Sequence, residues 1–496
     1  MRRYIWGRIL RSILSIFLVV TLTIVMIYTN IPRKNVFKND SNISKLVSRP
    51  DDYISYTYNI YDRLGYLDYM TQNDLCRLKA GEQYSSCVQK GSAVYAALQK
   101  EYEAKGYTFN LFTTGYGWCS RDFSPFETAW NFFAHLVQVD NPNYVQDEDN
   151  PNIERKVYFG TDSNGLPALK CSGCEHKYLI YLNGSFPFIH FNIITLHYGY
   201  SFPDYAGQAI EDVISDGQGE YKQSQVTFET GMTSYSAADL HSCRYKATST
   251  LDTLDGKKFN DNYADCTNYF TDPSMVSTSY LFGILSLLLA YIIAVPAGVK
   301  MAQKKDKWQD KLGIVYVNIM IAVPSLAFIY FVKLIGNNLF QLPDKFPIYG
   351  FGDLRSYILP IVILALLSTS GTMIWLRRFM VDQASSDYVK FAKAKGLSQS
   401  EIFRRHILRN AIIPFVNSLP SNIILCISGA VITETVFSIP GMGKMLPDAI
   451  KASNNSVIVA LTFLFTALSI FSLLLGDILI TFVDPRIQLT SKGDSR

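Results

Sequence analysis

Six runs of apolar residues divide this sequence, and none of them contains a formal charge. A helix needs about 20 apolar residues to cross a bilayer, and each run approaches or exceeds that length. The runs cover residues 12–30, 273–299, 312–332, 356–376, 411–433 and 452–476. The pattern therefore predicts a polytopic α-helical membrane protein with six transmembrane helices.

A long polar segment, residues 31–272, separates the first run from the second. Its patterning is mixed: residues 92–105 have helical periodicity, residues 177–182 and 223–230 indicate strands, and residues 141–150 indicate a loop. We expect an independently folded α+β domain inserted between helices 1 and 2. The other predicted parts are residues 1–30, a five-helix core at 273–487 and a tail at 488–496.

Charge differs between the segments, and the difference predicts an orientation. Lys and Arg are concentrated before the first run, in residues 300–311 and 377–409, and after the last run, whereas the inserted segment is acidic on balance. Short cytoplasmic loops carry the excess of basic residues. We therefore expect both termini and segment 377–410 in the cytoplasm and the inserted domain outside the cell. Because the positive charge lies between apolar runs, it favours a membrane protein over one that binds nucleic acid.

The first run begins like a secretory signal, with basic residues before an apolar centre. The residues that follow, Tyr28-Thr29-Asn30-Ile31-Pro32, lack the small residues of a cleavage site. We expect a retained anchor, with a cleaved leader as the alternative.

Seven of the eight cysteines lie in the inserted segment, which indicates an oxidising compartment and structural disulfides. They are Cys76, Cys87, Cys119, Cys171, Cys174, Cys243 and Cys266. Because seven is odd, at least one thiol stays free or pairs elsewhere. The near neighbours Cys76 with Cys87 and Cys243 with Cys266 are the favoured pairs.

Cys171 and Cys174, with His176 close by, could form a bridge, remain free, act as a redox pair or provide half of a zinc site. A second ligand pair at suitable spacing is missing. Bridging or free thiols are therefore favoured, and no metal site is predicted.

Polar residues mark one side of the fifth run. Asn417, Ser421 and Asn422 recur largely at three- and four-residue spacing, so several share a helix face. Such residues usually face a bundle interior or a cavity, which suggests a substrate path, although interhelical packing is an equal alternative. Glu434, at the outer end of this run, could line an outer gate or cap the segment that follows.

The basic segment before the fifth run predicts a helix, a sharp turn and a second helix. A short helix from about Ser386 would place Val389 and Ala392 on one side, with Gly396 as its left-handed stop. Ser398, followed three residues later by Glu401, is a capping box that starts the second helix. On charge alone, a basic loop at this place needs no further explanation.

The order of residues in this loop strongly resembles the signature loop of inner-membrane permease subunits of ABC importers, in the oligopeptide and dipeptide branch. The matching residues are Tyr388-Val389, Ala392-Lys393-Ala394-Lys395-Gly396-Leu397, Arg405-His406-Ile407-Leu408-Arg409-Asn410 and Pro414. Residues 433–443 are similar to the family's outer re-entrant segment, and Asp484-Pro485-Arg486-Ile487 to its terminal motif. The resemblance covers about residues 277–487 and the first span.

The resemblance implies a permease of the type I ABC importer fold in a bacterial cell membrane. It implies that this subunit forms the path of an ATP-driven oligopeptide importer with a second permease subunit. The other implied partners are two cytoplasmic ATPase subunits, which bind ATP and Mg, and an extracellular peptide-binding lipoprotein. The residues implied in ATPase coupling are Asp387, Tyr388, Ala392, Gly396, Leu397, Arg405, His406, Arg409, Asn410 and Pro414. The residues assigned to the translocation path are Asn417, Ser421, Asn422 and Glu434.

This chain is expected to be a transport subunit and not an enzyme. It contains no G-x-x-x-x-G-K-[ST] motif for ATP, and no cofactor of its own is predicted. The large insert departs from shorter family members and is similar to that of streptococcal-type oligopeptide permeases. The alternative function is a membrane-anchored extracellular sensor or adhesion protein, which would need neither the signature loop nor the polar fifth span.

Overall fold

A computed structural model describes residues 2–146, 152–162, 164–183, 188–227, 231–236, 239–245, 263–267 and 269–483. The predicted terminal motif at 484–487 and the tail lie outside these residues. The chain folds as two compact units. The membrane unit comprises residues 1–20, 273–448 and 461–496, and the inserted unit comprises residues 21–272 and 449–460. Compared with the predicted segment 31–272, the inserted unit also contains residues 21–30 and the separate segment 449–460.

The membrane unit is helical. Its helices are α1 (Arg2–Asn30, whose last residues belong to the inserted unit), α9 (Met275–Gln303), α10 (Trp308–Ala322), α11 (Ser325–Phe340), α12 (Arg355–Ala384), α13 (Asp387–Ala394), α14 (Gln399–Ile402), α15 (Arg409–Ala411), α16 (Ile413–Ile424), α17 (Val431–Phe437), α18 (Met442–Ala452) and α19 (Asn455–Val483). The last residues of α18 and the first residues of α19 also belong to the inserted unit. A π-helical segment, Phe403–Leu408, and a 3-10 segment, Leu425–Ser428, complete it.

Most of the predicted spans are found as long apolar helices, with two corrections. The fifth consists of α16, the 3-10 segment and α17, which together form one apolar span over Ile413–Phe437. The third predicted span is not one helix, because α10 and α11 meet at an angle of 108°. Val323 is extended just before Pro324, as expected for a residue preceding proline, and α11 starts after that proline. The described residues therefore contain five apolar helices long enough to cross a bilayer, or six if the bent pair is one span.

The inserted unit is a mixture of helices and antiparallel strands. Its other helices are α2 (Ser41–Leu46), α3 (Pro50–Arg63), α4 (Gln72–Lys79), α5 (Tyr84–Cys87), α6 (Ala93–Glu103), α7 (Pro125–Leu136) and α8 (Ile210–Ser215). Its strands are β1 (Leu67–Thr71), β2 (Thr108–Leu111), β3 (Gly117–Asp122), β4 (Val137–Val139), β5 (Lys156–Thr161), β6 (Pro167–Ser172), β7 (Tyr178–Leu182), β8 (Ile189–Phe191), β9 (Ile194–Leu196), β10 (Gln218–Lys222), β11 (Ser224–Thr227), β12 (Thr233–Ser236), β13 (Asp239–Tyr245), β14 (Tyr263–Thr267) and β15 (Tyr269–Asp272). Short 3-10 turns cover Arg33–Phe37 and Gly81–Gln83.

The strands form small sheets rather than one large one. The larger sheets have the orders β1-β3-β2 and β5-β6-β7-β8, and two-stranded pairs join β4 to β9, β10 to β15, β11 to β12 and β13 to β14. The predicted helix at 92–105 corresponds to α6, whose first turn is capped by Ser92. The predicted strands correspond to β7 and β11.

An aromatic core holds the first part of the inserted unit together. Tyr61, Tyr66 and Trp118 are buried there, and Tyr28, near the end of α1, packs against them. Tyr28 and Tyr66 have ring centroids 4.5 Å apart. The Tyr28 hydroxyl donates a hydrogen bond to the Leu64 carbonyl over 2.8 Å. The end of α1 is therefore an integral part of this core.

The start of α19 is bound into the same unit by two buried amides. Asn454 donates to the Ser201 hydroxyl over 2.9 Å, and Asn455 donates to the Tyr66 hydroxyl over 2.5 Å. Both asparagines are almost fully buried. Buried polar groups are tolerated only when they are hydrogen-bonded, so these contacts fix segment 449–460 in the unit.

Candidate coupling surface and polar membrane cavity

The signature loop forms the predicted helix–turn–helix. Ser386 has an extended backbone immediately before α13, and Gly396 after it has a φ of +79°. That conformation suits glycine because it has no Cβ to clash with the backbone. The Ser398 hydroxyl then accepts a hydrogen bond from the Glu401 amide over 3.3 Å, which caps α14.

The inner side of α13 is packed into the membrane unit. Val389 and Ala392 are buried in a cluster with Leu376 and Met380 of α12, and Val295 and Val299 of α9 lie against the same cluster. The Tyr388 hydroxyl donates to the Gln383 side chain over 2.7 Å. Ala392 is therefore a packing residue of the loop, and the loop is joined to two long apolar helices.

The outer side of α13 is exposed. Asp387, Lys390, Phe391 and Ala394 are solvent-accessible, and their spacing places them on one helix face. Phe391 is 69% exposed, an unusual position for a large aromatic side chain within a basic loop. We name these four residues the α13 outer face. The sequence predicted Asp387 as a coupling residue and a small side chain at Ala394 as suited to close approach of a partner, but Lys390 and Phe391 were missed, although the same spacing was visible opposite Val389 and Ala392.

The second half of the loop is not a uniform α-helix. The π-helical segment Phe403–Leu408 follows α14, and the Glu401 carboxylate pairs with Arg405 over 3.0 Å. Of the predicted capping box, the hydrogen bond from the Glu401 amide to the Ser398 hydroxyl is present. Arg405 and Arg409 are exposed, whereas Leu397, His406, Asn410 and Pro414 are partly buried.

A buried ion pair lies beside the loop. Asp310, in the first turn of α10, is fully buried and also accepts a hydrogen bond from the Asp306 amide over 2.9 Å. Its partner is Arg377, which follows Leu376 of the loop cluster along α12. The pair therefore ties the start of α10 to the part of α12 on which the loop packs.

A cavity of about 260 Å³ lies among the apolar helices of the membrane unit. Asn422 and Glu434 both line it, together with Ser279, Ser286 and Ser368. The Asn422 amide donates to the Tyr291 hydroxyl over 2.7 Å. Two of the four residues predicted for the path therefore meet at one cavity, which has several polar side chains in a partly apolar lining, and the serines were not singled out from the sequence.

Glu434 is also the anchor of the segment around it. Its buried carboxylate accepts hydrogen bonds from the Ser279 hydroxyl over 2.9 Å, the Ala430 amide over 3.1 Å and the Lys444 amide over 3.0 Å. Gly443 also lies against this carboxylate, because a Cβ built at Gly443 would be only 2.9 Å from a Glu434 oxygen. This arrangement favours the capping alternative, because the carboxylate oxygens are occupied by the segment itself.

The other two residues predicted for the path, Asn417 and Ser421, contact α19. The Ser421 hydroxyl accepts a hydrogen bond from the Ser472 hydroxyl of α19 over 3.0 Å. Gly476 of α19 packs closely on the Asn417 carbonyl, because a Cβ built at Gly476 would lie only 2.5 Å from that oxygen. These residues therefore pack α16 against α19 and do not line the 260 Å³ cavity. The polar side of the fifth span is thus divided between a cavity and a helix interface.

The cysteines of the inserted unit are mostly paired. Disulfides join Cys76 to Cys87 and Cys171 to Cys174, and Cys243 is disulfide-bonded as well. The side chain of Cys266, its predicted partner, lies outside the described residues. Cys119 is a free, buried thiol, and burial raises its pKa to about 12, so it is not a reactive thiolate at neutral pH.

Comparison with known proteins gives the family of this chain. Residues 294–489 match a family described as "Binding-protein-dependent transport system inner membrane component". The oligopeptide transport system permease protein AmiC of Streptococcus pneumoniae is 44% identical over 99% of this chain and 100% of its own length. The chain belongs to the family of oligopeptide ABC transporter permeases. This permease is therefore a multi-pass membrane subunit of an importer and not its ATPase.

Two other relatives align with less than half of the permease. The dipeptide permease DppB of Lactococcus lactis is 31% identical over 47% of this chain and 78% of its own length. The oligopeptide permease AppB of Bacillus subtilis is 31% identical over 42% and 68%. The alignment with AmiC spans 99% of the chain and therefore includes the insert, as the sequence predicts. A solved MetNI methionine transporter overlaps 42% of the permease and 94% of its own chain, with 15% identity and a TM-score of 0.34.

Proposed function

We propose that this permease lines the peptide path of an ATP-driven oligopeptide importer together with a second permease subunit. Its termini and signature loop lie in the cytoplasm, and its inserted domain lies outside the cell. Two cytoplasmic ATPases bind ATP and Mg and supply the motion, and an extracellular lipoprotein delivers the peptide. Full-length similarity to AmiC supports the substrate class, and the basic residues of the loop support the orientation.

The α13 outer face is the surface that docks on an ATPase. One observation carries this assignment: Phe391 is exposed on a helix whose opposite side is buried in the membrane unit. Aromatic side chains that fill a partner's pocket often dominate the binding energy of an interface. Lys390 and Asp387 pair with each other across 2.8 Å at the edge of this face, where they would form a polar rim.

Movement of the ATPase reaches the membrane through the packed side of the loop. Val389 and Ala392 lie in one cluster with side chains of α12 and α9. Close-packed clusters of this kind move as a unit and do not deform continuously. A shift of α13 would therefore displace the ends of both long helices, of which α9 also lines the polar cavity.

The test is reconstitution in liposomes with the second permease, both ATPases and the binding lipoprotein. Phe391→Ala should lower ATPase co-purification and peptide uptake by about tenfold or more, the usual effect of losing an interface hot spot. Leu354→Ala is the matched control, since it removes another highly exposed apolar side chain beside α12. Its uptake should stay at the wild-type level.

Wild-type coupling in Phe391→Ala would exclude the α13 outer face as the ATPase site. Failure of the wild-type chain to retain an ATPase under any condition would contradict the importer function itself. The sensor or adhesion alternative would then account better for the large outer domain.

A further inference from the structure

Large apolar side chains are exposed on one side of the inserted unit. They come from α7, β4 and β9, and all are between 42% and 70% exposed. We name this set the lateral apolar face: Phe126, Trp130, Val137, Val139, Ile194 and Leu196. Contiguous apolar surfaces of this kind mark a contact with a membrane or another protein.

The set is continuous because of the local geometry. Phe126 and Trp130 are one helical turn apart on α7, and β4 follows α7 directly. In the β4–β9 pair, Val137 lies opposite Leu196 and Val139 lies opposite Ile194. Residues two apart on a strand share a side of the sheet, so these four side chains lie on one face.

The opposite side of the same elements points into the protein and carries both apolar and polar residues: Ala129 and Leu136 of α7 are buried there. Asn131 and His135 of α7 and Gln138 of β4 line a cavity of about 450 Å³. The Thr128 hydroxyl is buried and donates to the Gly65 carbonyl over 3.0 Å. The α7 helix therefore has apolar residues on its outer as well as its inner side, whereas a surface helix in water normally has polar residues outside.

The position of α7 explains its apolar outer side. Ile24 and Tyr28 of α1 line the same cavity as α7, and Tyr28 bonds to the Leu64 carbonyl next to the Gly65 carbonyl that Thr128 uses. Ile24 is six residues before the end of α1, or about 9 Å along the helix. The α7 helix therefore lies beside the last turns of a predicted transmembrane span.

We propose that the lateral apolar face is immersed in the membrane leaflet on the side of the inserted domain. Its occupant is lipid, because α7, which carries part of the face, lies beside α1, whose Leu22 and Met26 are themselves exposed apolar residues of a span. Its aromatic residues, Trp130 and Phe126, suit the boundary between acyl chains and headgroups. The inserted domain is thus partly a membrane-embedded domain.

The experiment measures quenching of tryptophan by lipid. The full-length permease is reconstituted in phosphatidylcholine–phosphatidylglycerol vesicles, with or without bromine on the acyl chains. Trp130→Phe is the common parent, and subtracting its emission from that of the wild type isolates Trp130. A tryptophan placed by Phe126→Trp in this parent reports a second position of the face. A tryptophan placed by Phe159→Trp is the matched control, because Phe159 is 88% exposed on β5.

We expect brominated lipid to remove most of the emission of the tryptophans at 126 and 130 and to leave that at 159 unchanged. Equal emission in both lipids at 126 and 130 would overturn the proposal, and so would equal quenching at all three positions. A shift of the Trp130 emission that occurs only when the peptide-binding lipoprotein is added would assign the face to a protein partner, which also overturns it.

Discussion

Arg377 holds Asp310 by two hydrogen bonds, from Nε to one carboxylate oxygen over 2.5 Å and from Nη2 to the other over 2.6 Å. This two-point geometry is specific to arginine, since a lysine ammonium offers no planar fork. Because Asp310 is fully buried, each partner is needed to compensate the other. The pair therefore fixes how α10 meets the end of α12 that supports the signature loop.

Arg377→Ala should destabilise the membrane unit strongly, since it leaves a buried carboxylate unpaired, at a cost of about 3 to 5 kcal/mol. Thermal unfolding in detergent measures the change. The double variant Asp310→Asn with Arg377→Gln should recover much of the loss, because no charge remains. A single variant as stable as the wild type would show that the pair contributes nothing.

Gly396→Val should uncouple ATP hydrolysis from peptide uptake. No other atom lies within 4 Å of a Cβ at this position, so the substitution acts through the left-handed backbone alone. That conformation costs an ordinary residue about 1 to 2 kcal/mol, and more for a β-branched one. Uptake and hydrolysis are measured together in liposomes. Gly371→Val on α12, which also has open space, is the control, and unchanged uptake in Gly396→Val would contradict the role of the turn.

Glu434→Gln should lower stability rather than change which peptides are carried. The carboxylate accepts bonds on both oxygens, and a glutamine amide would direct its NH₂ group at some of those donors. An unsatisfied buried group of this kind costs about 1 to 3 kcal/mol. The measurement is the melting temperature, with uptake of several peptides normalised to folded protein. A change in peptide preference at unchanged stability would support the gate alternative instead.

Asp62→Asn should stabilise the inserted unit above about pH 6. Burial, with a smaller effect of Asp68, raises the pKa of Asp62 from 3.8 to about 6. A raised carboxyl pKa contributes stability that is complete below pH 3.8 and is lost as the pH rises through about 6. The stability of the asparagine variant does not fall in this way, because an asparagine side chain does not ionise. Melting temperatures of the two proteins should therefore converge near pH 4 and separate near pH 8, whereas Glu82→Gln on the surface should follow the wild type throughout.

The membrane helices were predictable from sequence because lipid imposes a simple requirement. A span must be apolar over its length and must satisfy its own backbone, so a charge-free run is sufficient evidence for it. The bend between α10 and α11 was missed because the hydropathy of 312–332 is continuous across Pro324. The extended backbone before a proline, and not the apolar pattern, places the bend there.

Those features of the coupling loop and the fifth span that depend on residues close together in sequence were predictable. The turn at Gly396 and the cap at Ser398 follow from local rules and are present in the structure. The division of Asn417 and Asn422 between a helix interface and a cavity depends on where α19 and α9 pack, which the sequence of one span does not contain. Phe391 could have been found, since its helix position is opposite the apolar pair Val389 and Ala392.

The bonds from Asn454 to Ser201 and from Asn455 to Tyr66 also bear on how the protein is made. They join residues 253 and 389 positions apart in sequence. When the ribosome has completed residue 272, segment 449–460 of the inserted unit has not been synthesised. At 5 to 20 residues per second, the missing segment follows about 10 to 35 seconds later. During biogenesis the inserted domain therefore has to wait, incomplete, for the start of the last membrane helix.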